Sequence, residues 1–579
     1  MLIGLKIIIM KEIKNFFYLS RLNNVNFETK IFFLIIINFF NTILEFIGLA
    51  SIIPFLGKIT NTENKLFGLD DMIQSIGRYF NIGEINSYLF FILSCFLLRN
   101  LISIFAVYLS TKFVHEFTIN ISNIYYKKKV NLPFLDFSLQ GSNYFVRNLR
   151  DVISNYRAYN LAFILFFSEI LIVASIITLL IFVDAKSSIV VLTILIIIML
   201  FFLPYLKKRV EKWANIRNQS TANINKILIT TFNTIREIKI FQKELIFLNF
   251  FKKSNFNFSN VLRKYDYSVI VIRNYIEIAV LLLIMFLTLI FFNLKNEDSL
   301  INTLALYLIV FIRIYPSVNR CISYYLGIKN NQVAVNTLYD EFKYLKNFNK
   351  KENTNNKFIF NKNINVKINY HKFPHMSEKI LKNVKFNINK NSLVGLTGPN
   401  GSGKSTLSNF ILGLIKPTSG SVKLDQKFDI SEIHKSFNNI ISFVPQNTFL
   451  FEGTIYQNII FENEFSKIDK DTEKKVEKII NSSKFFSFIN KRPKKLHSLV
   501  KENGINFSGG QKQTISIARA LYSNPKILIF DEPTNNLDKN KLKIFLDLII
   551  TLKINHTILT ITHDKKLLNI CDKVINLKS

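Results

Sequence analysis

Cysteine is scarce in this chain. Cys95, Cys321 and Cys571 are the only three among 579 residues, and their spacing is neither that of a disulfide framework nor that of a metal-ligand cluster. Free thiols are expected, and a disulfide-stapled fold is excluded. Acidic residues are short as well, 40 Asp and Glu against 74 Lys and Arg, which leaves a formal net charge of +34. An excess of that size suits nucleic acid, but the basic residues are spread throughout, alongside abundant Asn and Ile, as a general compositional bias spreads them. Cytoplasmic loops that lie against anionic lipid need the same sign, so nucleic acid is set aside as a partner. No cleavable secretory signal is expected either. The first apolar patch, Leu5 to Met10, is short and lacks a small-residue cleavage site.

Apolar residues are plentiful at 49%, and they fall in long runs before about residue 325 and in shorter ones after it. That asymmetry predicts a membrane domain over 1–325, a connection over 326–357 and a soluble domain over 358–579. Six stretches approach the roughly 20 apolar residues that a bilayer requires: 31–56, 88–115, 159–183, 187–206, 268–293 and 299–322. Arg313 and Pro316 interrupt the last. Long polar connections follow the second and fourth stretches and carry Lys127, Lys128, Lys129, Lys207, Lys208 and Arg209. The positive-inside rule puts these extensions, the N-terminus and the soluble domain on the cytoplasmic side. Residues 64–82 have apolar positions at helical spacing and read as an amphipathic helix, at the outer interface or on a plain surface.

Ionisable residues inside spans are costly, so each is a candidate for function. They are Glu45, Arg99, Glu169, Arg273, Glu277 and Arg313. Two readings stand: the charges pair across helices, or Arg99, Arg273 and Arg313 line a cavity for a phosphate- or pyrophosphate-bearing substrate, to whose oxygens guanidinium bonds bidentately.

The soluble domain holds Gly398-Pro399-Asn400-Gly401-Ser402-Gly403-Lys404-Ser405 between a buried apolar strand, Leu393 to Thr397, and a helix. Glycines let backbone N–H groups curl round an anion, Lys404 reaches the β/γ-phosphates, and Ser405 holds Mg²⁺. Strand, glycine loop and helix in that order make the motif credible. Alone it means only nucleotide binding. Phe507-Ser508-Gly509-Gly510-Gln511 and Ile527-Leu528-Ile529-Phe530-Asp531-Glu532 follow it.

In that order the three motifs resemble the ATP-binding-cassette (ABC) proteins. The resemblance implies ATP and Mg²⁺, with Gly398, Asn400, Gly401, Ser402, Gly403, Lys404, Ser405 and Thr406 on the phosphates and Phe373 against adenine, Tyr370 being the fallback. Ser405, Gln446 and Asp531 would serve the metal. Glu532 looks like the general base, His563 like the switch histidine, and Gln446 like the glutamine that senses Mg²⁺ and the attacking water. Ser508, Gly509, Gly510 and Gln511 form the signature that faces a second cassette, and Asn535-Asn536-Leu537-Asp538 resembles the loop linking the two sites, Asp538 included. One cassette per chain then implies a homodimer. Phe507 stands where the family usually has Leu, and Gln513-Thr514 replaces a more usual Gln-Arg.

Six spans ahead of one cassette resemble the exporter architecture: an all-α six-helix transmembrane domain followed by an α/β P-loop ATP-binding cassette. Coupling segments are expected at Asn131 to Asn143 and Thr234 to Glu244. A narrower resemblance, to flippases for lipid-linked oligosaccharides, rests on Glu45 to Pro54, Arg99-Asn100, Arg273 with Glu277, and Phe311 to Arg320. It implies a polyprenyl-pyrophosphate glycan engaged by Arg99, Arg273 and Arg313 in a bacterial inner membrane. A phospholipid or lipid A flippase and a multidrug or peptide exporter are the alternatives; no N-terminal cysteine peptidase is expected.

Overall fold

A computed structural model of the chain describes residues 14–15, 17–22, 27–59, 68–183, 185–292, 297–348, 360–374, 378–433, 440–462 and 469–577, with backbone alone over most of 186–207 and 279–307. It divides into two compact units, one of residues Met1–Leu132 and Phe137–Asn349, the other of Pro133–Asp136 and Lys350–Ser579.

The first unit is helical. Its elements are α1 (Phe27–Ala50), α2 (Ile52–Ile59), α3 (Leu69–Tyr79), α4 (Glu84–Val130), α5 (Phe134–Gln140), α6 (Ser142–Arg147), a π-turn (Asn148–Val152), α7 (Ile153–Val183), α8 (Ala185–Asn233), α9 (Ile235–Ile240), α10 (Glu244–Phe292) and α11 (Glu297–Lys346). Four helices, α4, α8, α10 and α11, have 47, 49, 49 and 50 residues. At about 1.5 Å per residue each exceeds 70 Å, more than twice a hydrocarbon layer of about 30 Å. Each therefore has to continue beyond any membrane it crosses. Among the described residues, three segments are long and apolar enough to cross: Thr29–Ile59, Glu84–Val130 and Ser142–Phe182. The fourth, fifth and sixth predicted spans are helical in α8, α10 and α11, with most of their side chains outside the description.

Helix α7 packs along α11, α8 along α10, and α1 along α4. One core, with Leu49, Ile172, Ile176, Phe311 and Ile314, lies within the predicted spans. A second, with Phe117, Ile121, Tyr125, Tyr156, Leu338 and Phe342, lies largely in the extensions. The second core explains a departure from the predicted connection. Val335, Leu338, Phe342 and Leu345 bury one helical face, so α11 runs on to Lys346 through much of the 326–357 stretch; residues 349–359 lie outside the described ones. Within 64–82 the helix is α3, with Ile73 and Gly77 buried, and 60–67 lie outside.

The second unit is α/β. Its strands are β1 (Asn363–His371), β2 (Leu381–Asn389), β3 (Leu393–Thr397), β4 (Ser419–Leu424), β5 (Phe428–Asp429), β6 (Ile441–Val444), β7 (Gly453–Thr454), β8 (Leu499–Val500), β9 (Ile527–Asp531), β10 (Thr557–Ile561) and β11 (Lys573–Asn576). Five form a parallel sheet in the order β11-β3-β10-β9-β6, and four an antiparallel one, β2-β1-β4-β5. Central strands β3, β9 and β10 are almost wholly buried aliphatic runs, as strands covered on both faces must be. Strand β1 alternates buried and partly exposed positions instead, as a sheet with one wet face does. The helices that frame the site are α12 (Lys404–Ile411), α13 (Ile430–Ile433), α14 (Ile455–Ile460), α15 (Lys470–Asn481), α16 (Ser487–Asn490), α17 (Gly509–Tyr522), α18 (Lys539–Lys553) and α19 (Lys565–Asn569).

Candidate functional site: a phosphate cradle at the sheet's carboxyl edge

Strand β3 ends in the glycine loop, and α12 starts from it. Gly398, Gly401 and Gly403 hold φ of +153°, +82° and +88°, values that a side chain resists. At Gly398 a Cβ would lie 2.6 Å from the Leu577 carbonyl oxygen and 2.9 Å from Ser402 Oγ. The loop is thus closed from behind; the Ser402 N–H donates to the Pro399 carbonyl (3.2 Å), and the N–H groups at the start of α12 offer an anion the donors of a helix N-terminus. Lys404 Nζ curls over the loop, donating to the carbonyls of Gly398 (2.7 Å) and Pro399 (3.0 Å). Ser402 Oγ is buried without a partner, the kind of orphan that a bound oxyanion satisfies. Asn400 and Ser405 are exposed and Thr406 half-buried, in the loop and the first turn of α12. These residues fit a triphosphate.

Strands β9 and β10 run parallel with Asp531 opposite Ile561, so the residues after each emerge side by side. Glu532 has φ +47° and donates its N–H to the Ile561 carbonyl (2.9 Å); the sharp turn keeps its carboxylate at the sheet edge. His563 Nε2 lies 3.8 Å from Glu532 Oε1, the histidine half exposed and the glutamate mostly covered. Burial, then the neighbouring Glu532 charge, push the Asp531 carboxyl above its ordinary range, with Lys404 opposing. A carboxylate so placed gains from a cation, which fits Mg²⁺ beside Ser405 and Gln446. Gln446 is exposed two residues beyond β6, the strand next to β9. Ligands of open α/β sheets bind at these carboxyl ends.

The signature forms the start of α17. Ser508 and Gln511 cap it reciprocally: Gln511 N–H donates to Ser508 Oγ (3.4 Å) and Ser508 N–H to Gln511 Oε1 (3.1 Å). Gln511 thus holds the shape of the turn. Gly509 and Gly510 sit against Asn536; a Cβ on Gly510 would come within 2.7 Å of its carbonyl oxygen. Asp538 caps α18, accepting from Lys541 N–H (2.8 Å), while Lys541 Nζ reaches the Gly510 carbonyl (3.3 Å). Lys541 therefore ties signature and following loop together, a link that no spacing in the sequence signals. Phe507 is buried under the Arg492 guanidinium, 4.1 Å from its ring centre, which accounts for an aromatic at that position. Phe373 is half-buried, edge-on to His371 at 4.8 Å, and Tyr370 lies under Lys379 Nζ at 4.3 Å.

In the helical unit the three arginines separate. Arg99 and Arg313 both pair with buried Glu45, Arg313 at 3.4 Å and also over the Phe96 ring at 4.6 Å. Arg273 is exposed, and Glu277 accepts from the Tyr315 hydroxyl (3.1 Å). Glu169 forms a two-pronged bond with Arg320, 2.6 and 3.1 Å. The pairing reading holds for Arg99 and Arg313. Arg320 was missed as an ionisable residue, although it lies inside the sixth predicted span.

Comparison with known proteins follows this division. Residues 381–535 match the ABC transporter family. Similar proteins include the lactococcin-G-processing and transport ATP-binding protein LagD of Lactococcus lactis, 36% identical over 38% of this chain and 31% of that one. The multidrug resistance-like ATP-binding protein MdlB of Buchnera aphidicola is 33% identical over 36% of this chain and 35% of its own length. Human ATP-binding cassette sub-family B member 5 is 35% identical over 37% of this chain and 16% of its own length. The matched part thus spans about a third or less of these relatives. A solved structure of a bacterial Atm1-family ABC exporter with ATP bound has a TM-score of 0.68 to this chain at 16% identity, covering 96% of this chain and 94% of that one. The fold is that of an ABC exporter, a helical N-terminal unit followed by a cassette that matches the ABC transporter family over residues 381–535.

Proposed function

We propose that the chain is one half of an ATP-driven exporter of a bacterial inner membrane, working as a homodimer with its cassettes in the cytoplasm. The observation that carries this is the meeting of Lys404, Asp531, Glu532 and His563 at one sheet edge, in a chain whose other unit has helices long enough to cross a bilayer and continue. Phosphoryl transfer to water needs charge neutralisation and positioning more than covalent chemistry. Lys404 and the loop N–H groups neutralise the phosphates. Glu532 accepts the proton of the attacking water, His563 steadies the γ-phosphate, and Gln446 orients the water. Mg²⁺ held near Ser405, Asp531 and Gln446 would neutralise charge on the β- and γ-oxygens. Ser508, Gly509 and Gly510 act on the second copy's nucleotide, and Asp538 belongs to the loop between the sites. The proposed domains are those of the sequence reading, 1–325 and 358–579, with α11 carrying the helical unit on to Lys346, and α5 and α9 fall in the segments expected to couple them.

For the substrate, multidrug or peptide export is better supported than a lipid-linked glycan. Relatives are named for bacteriocin and multidrug transport. Two of the three arginines that motivated pyrophosphate recognition already share Glu45. The test is ATPase activity of the full chain in nanodiscs, with short peptides, cationic dyes or a polyprenyl-pyrophosphate glycan added. Glu532→Gln should lower the rate by about 10²- to 10⁴-fold while leaving ATP binding measurable. A variant that still hydrolyses at the wild-type rate would remove Glu532 as the base; stimulation by the glycan alone would restore the flippase reading.

A further inference from the structure

Helices α1 and α4 run antiparallel, with Gly48 facing Cys95 and Lys30 meeting Glu116. The start of the first predicted span therefore lies beside the end of the second, at the level that the positive-inside rule assigns to the cytoplasm. A pocket of about 330 Å³ opens there, with Lys30 and Phe33 of α1 and Leu109, Lys112, Phe113 and Glu116 of α4 in its wall. That wall is charged unevenly. Lys30 Nζ donates to Glu116 Oε2 (2.7 Å), and the two charges offset each other. Lys112 is exposed and makes no ion pair or hydrogen bond among the described residues. Two ammoniums against one carboxylate, all three in the lining, leave one positive charge in the wall itself.

Towards the membrane interior the pocket continues as an apolar track. Phe33 and Phe40 share the face of Lys30 on α1, three and ten residues on. Phe105, Leu101 and Leu98 share the face of Lys112 on α4, seven, eleven and fourteen residues back. These five side chains are between 52% and 63% exposed. Ten residues of α1 rise about 15 Å, half of a hydrocarbon layer of about 30 Å and so the reach of one leaflet's acyl chains. A soluble anion has no use for such a track. A zwitterionic lipid carries a cation beside its phosphate, which leaves the charge of Lys112 unbalanced. The molecule that matches has an anionic head and apolar chains.

We propose that the α1–α4 pocket binds a phospholipid of net negative headgroup charge in the cytoplasmic leaflet. Lys112 takes the phosphate, Lys30 stands between the phosphate and Glu116, and an acyl chain lies along the track; basic pockets between spans on this side hold such headgroups. The site rests on the helical unit's lying in a membrane and not on what the chain exports.

Native mass spectrometry of the full chain in detergent, titrated with phosphatidylglycerol or with phosphatidylcholine of the same chains, tests it by counting bound lipids. Phosphatidylglycerol should bind one site about fivefold more tightly, the effect of one lysine near a membrane surface. Lys112→Gln should remove that preference while melting as wild type does in lipid-free detergent. Lys208→Gln deletes an equal exposed charge just beyond the fourth predicted span, outside the pocket, and should keep it. Glu116→Gln enlarges the surplus and should strengthen the preference. Glycerol phosphate, which has the head without the chains, should not compete. Equal binding of the two lipids, equal losses in Lys112→Gln and Lys208→Gln, weaker binding in Glu116→Gln, or displacement by glycerol phosphate would overturn the proposal. So would a lipid-free dimer that Lys112→Gln splits, since a second copy would then fill the pocket. A chain that enters no vesicle would sink the membrane reading; one that enters without the preference would sink this proposal alone.

Discussion

The two units handle buried charge in opposite ways. In the cassette the ionisable groups of the site gather where strands end, beside free backbone N–H groups, and Asp531 and Glu532 stand next to each other with the same sign. In the helical unit buried Glu45, Lys129 and Glu341 meet opposite partners. Lys129 Nζ lies 2.6 Å from Glu341 Oε2, the two side chains 4% and 9% exposed. Glu341 also accepts from the hydroxyls of Tyr144 (2.5 Å) and Tyr125 (3.3 Å), and Lys129 sits 4.5 Å from the Phe145 ring centre. A site built to receive a charged ligand keeps its charges unresolved. A scaffold resolves them, because desolvation of an unpaired ion costs several kcal/mol.

The sharpest test of that contrast is to break a pair. Glu341→Gln leaves Lys129 buried without its counter-charge and should destabilise the helical unit by about 3–5 kcal/mol. Thermal unfolding of the full chain reads it. The double change Lys129→Met with Glu341→Leu should recover most of the loss, since well-packed apolar residues often replace a buried pair at little cost. A double variant as unstable as the single would mean that the network holds the helices by shape, not by charge. Next comes Gly510→Ala in the cassette. A Cβ there meets a backbone oxygen at 2.7 Å, so the Asn536 loop must move. About a tenfold fall in ATPase rate is expected, equivalent to about 1.4 kcal/mol, and no fall would detach the signature from that loop.

What could be read in advance follows the same division. The cassette's chemistry is local: eight consecutive residues make the cradle, and Leu393 to Thr397 is the strand expected of an apolar run before a glycine loop. Glu532 and His563 follow different strands, β9 and β10, and only the family resemblance named each of them. The helical unit gave up its helices through long apolar runs, but not its contacts. Glu45 meets Arg99 and Arg313, 54 and 268 residues away, and Glu341 meets Lys129 across 212. Composition and spacing carry no signal across such gaps. Arg99 and Arg313 therefore looked equally suited to a cavity and to a pair; the structure sets both beside Glu45, and Arg99 lines a cavity as well.

A smaller effect tests the cassette side with pH. The Asp531 carboxyl is raised in the fold, mainly by burial, so the native state holds its proton more tightly than the unfolded chain does. Stability from this group therefore falls as pH rises through the ordinary value of 3.8 towards the raised one. Above that window the buried carboxylate is a cost. Asp531→Asn should raise the Tm of the cassette at neutral pH while abolishing Mg²⁺-dependent hydrolysis, and the gain in Tm should vanish below the window. A lower Tm at neutral pH would mean that the charge already has a stabilising partner, and the site would resemble the helical unit after all.

The smallest effect belongs to an ion pair that is not buried. Lys30 Nζ lies 2.7 Å from Glu116 Oε2, as short as the Lys129 pair, but the side chains are 43% and 40% exposed. Solvent screens such a pair and side-chain entropy opposes it, so Lys30→Gln should cost about 0.2–1 kcal/mol. The cost should fade further in salt, where the screening length shortens to about 8 Å at 0.15 M. Distance alone would rank the two pairs equal; burial separates them several-fold. If Lys30→Gln destabilised the unit as much as Glu341→Gln, burial could not be what sets the value of charge in this molecule.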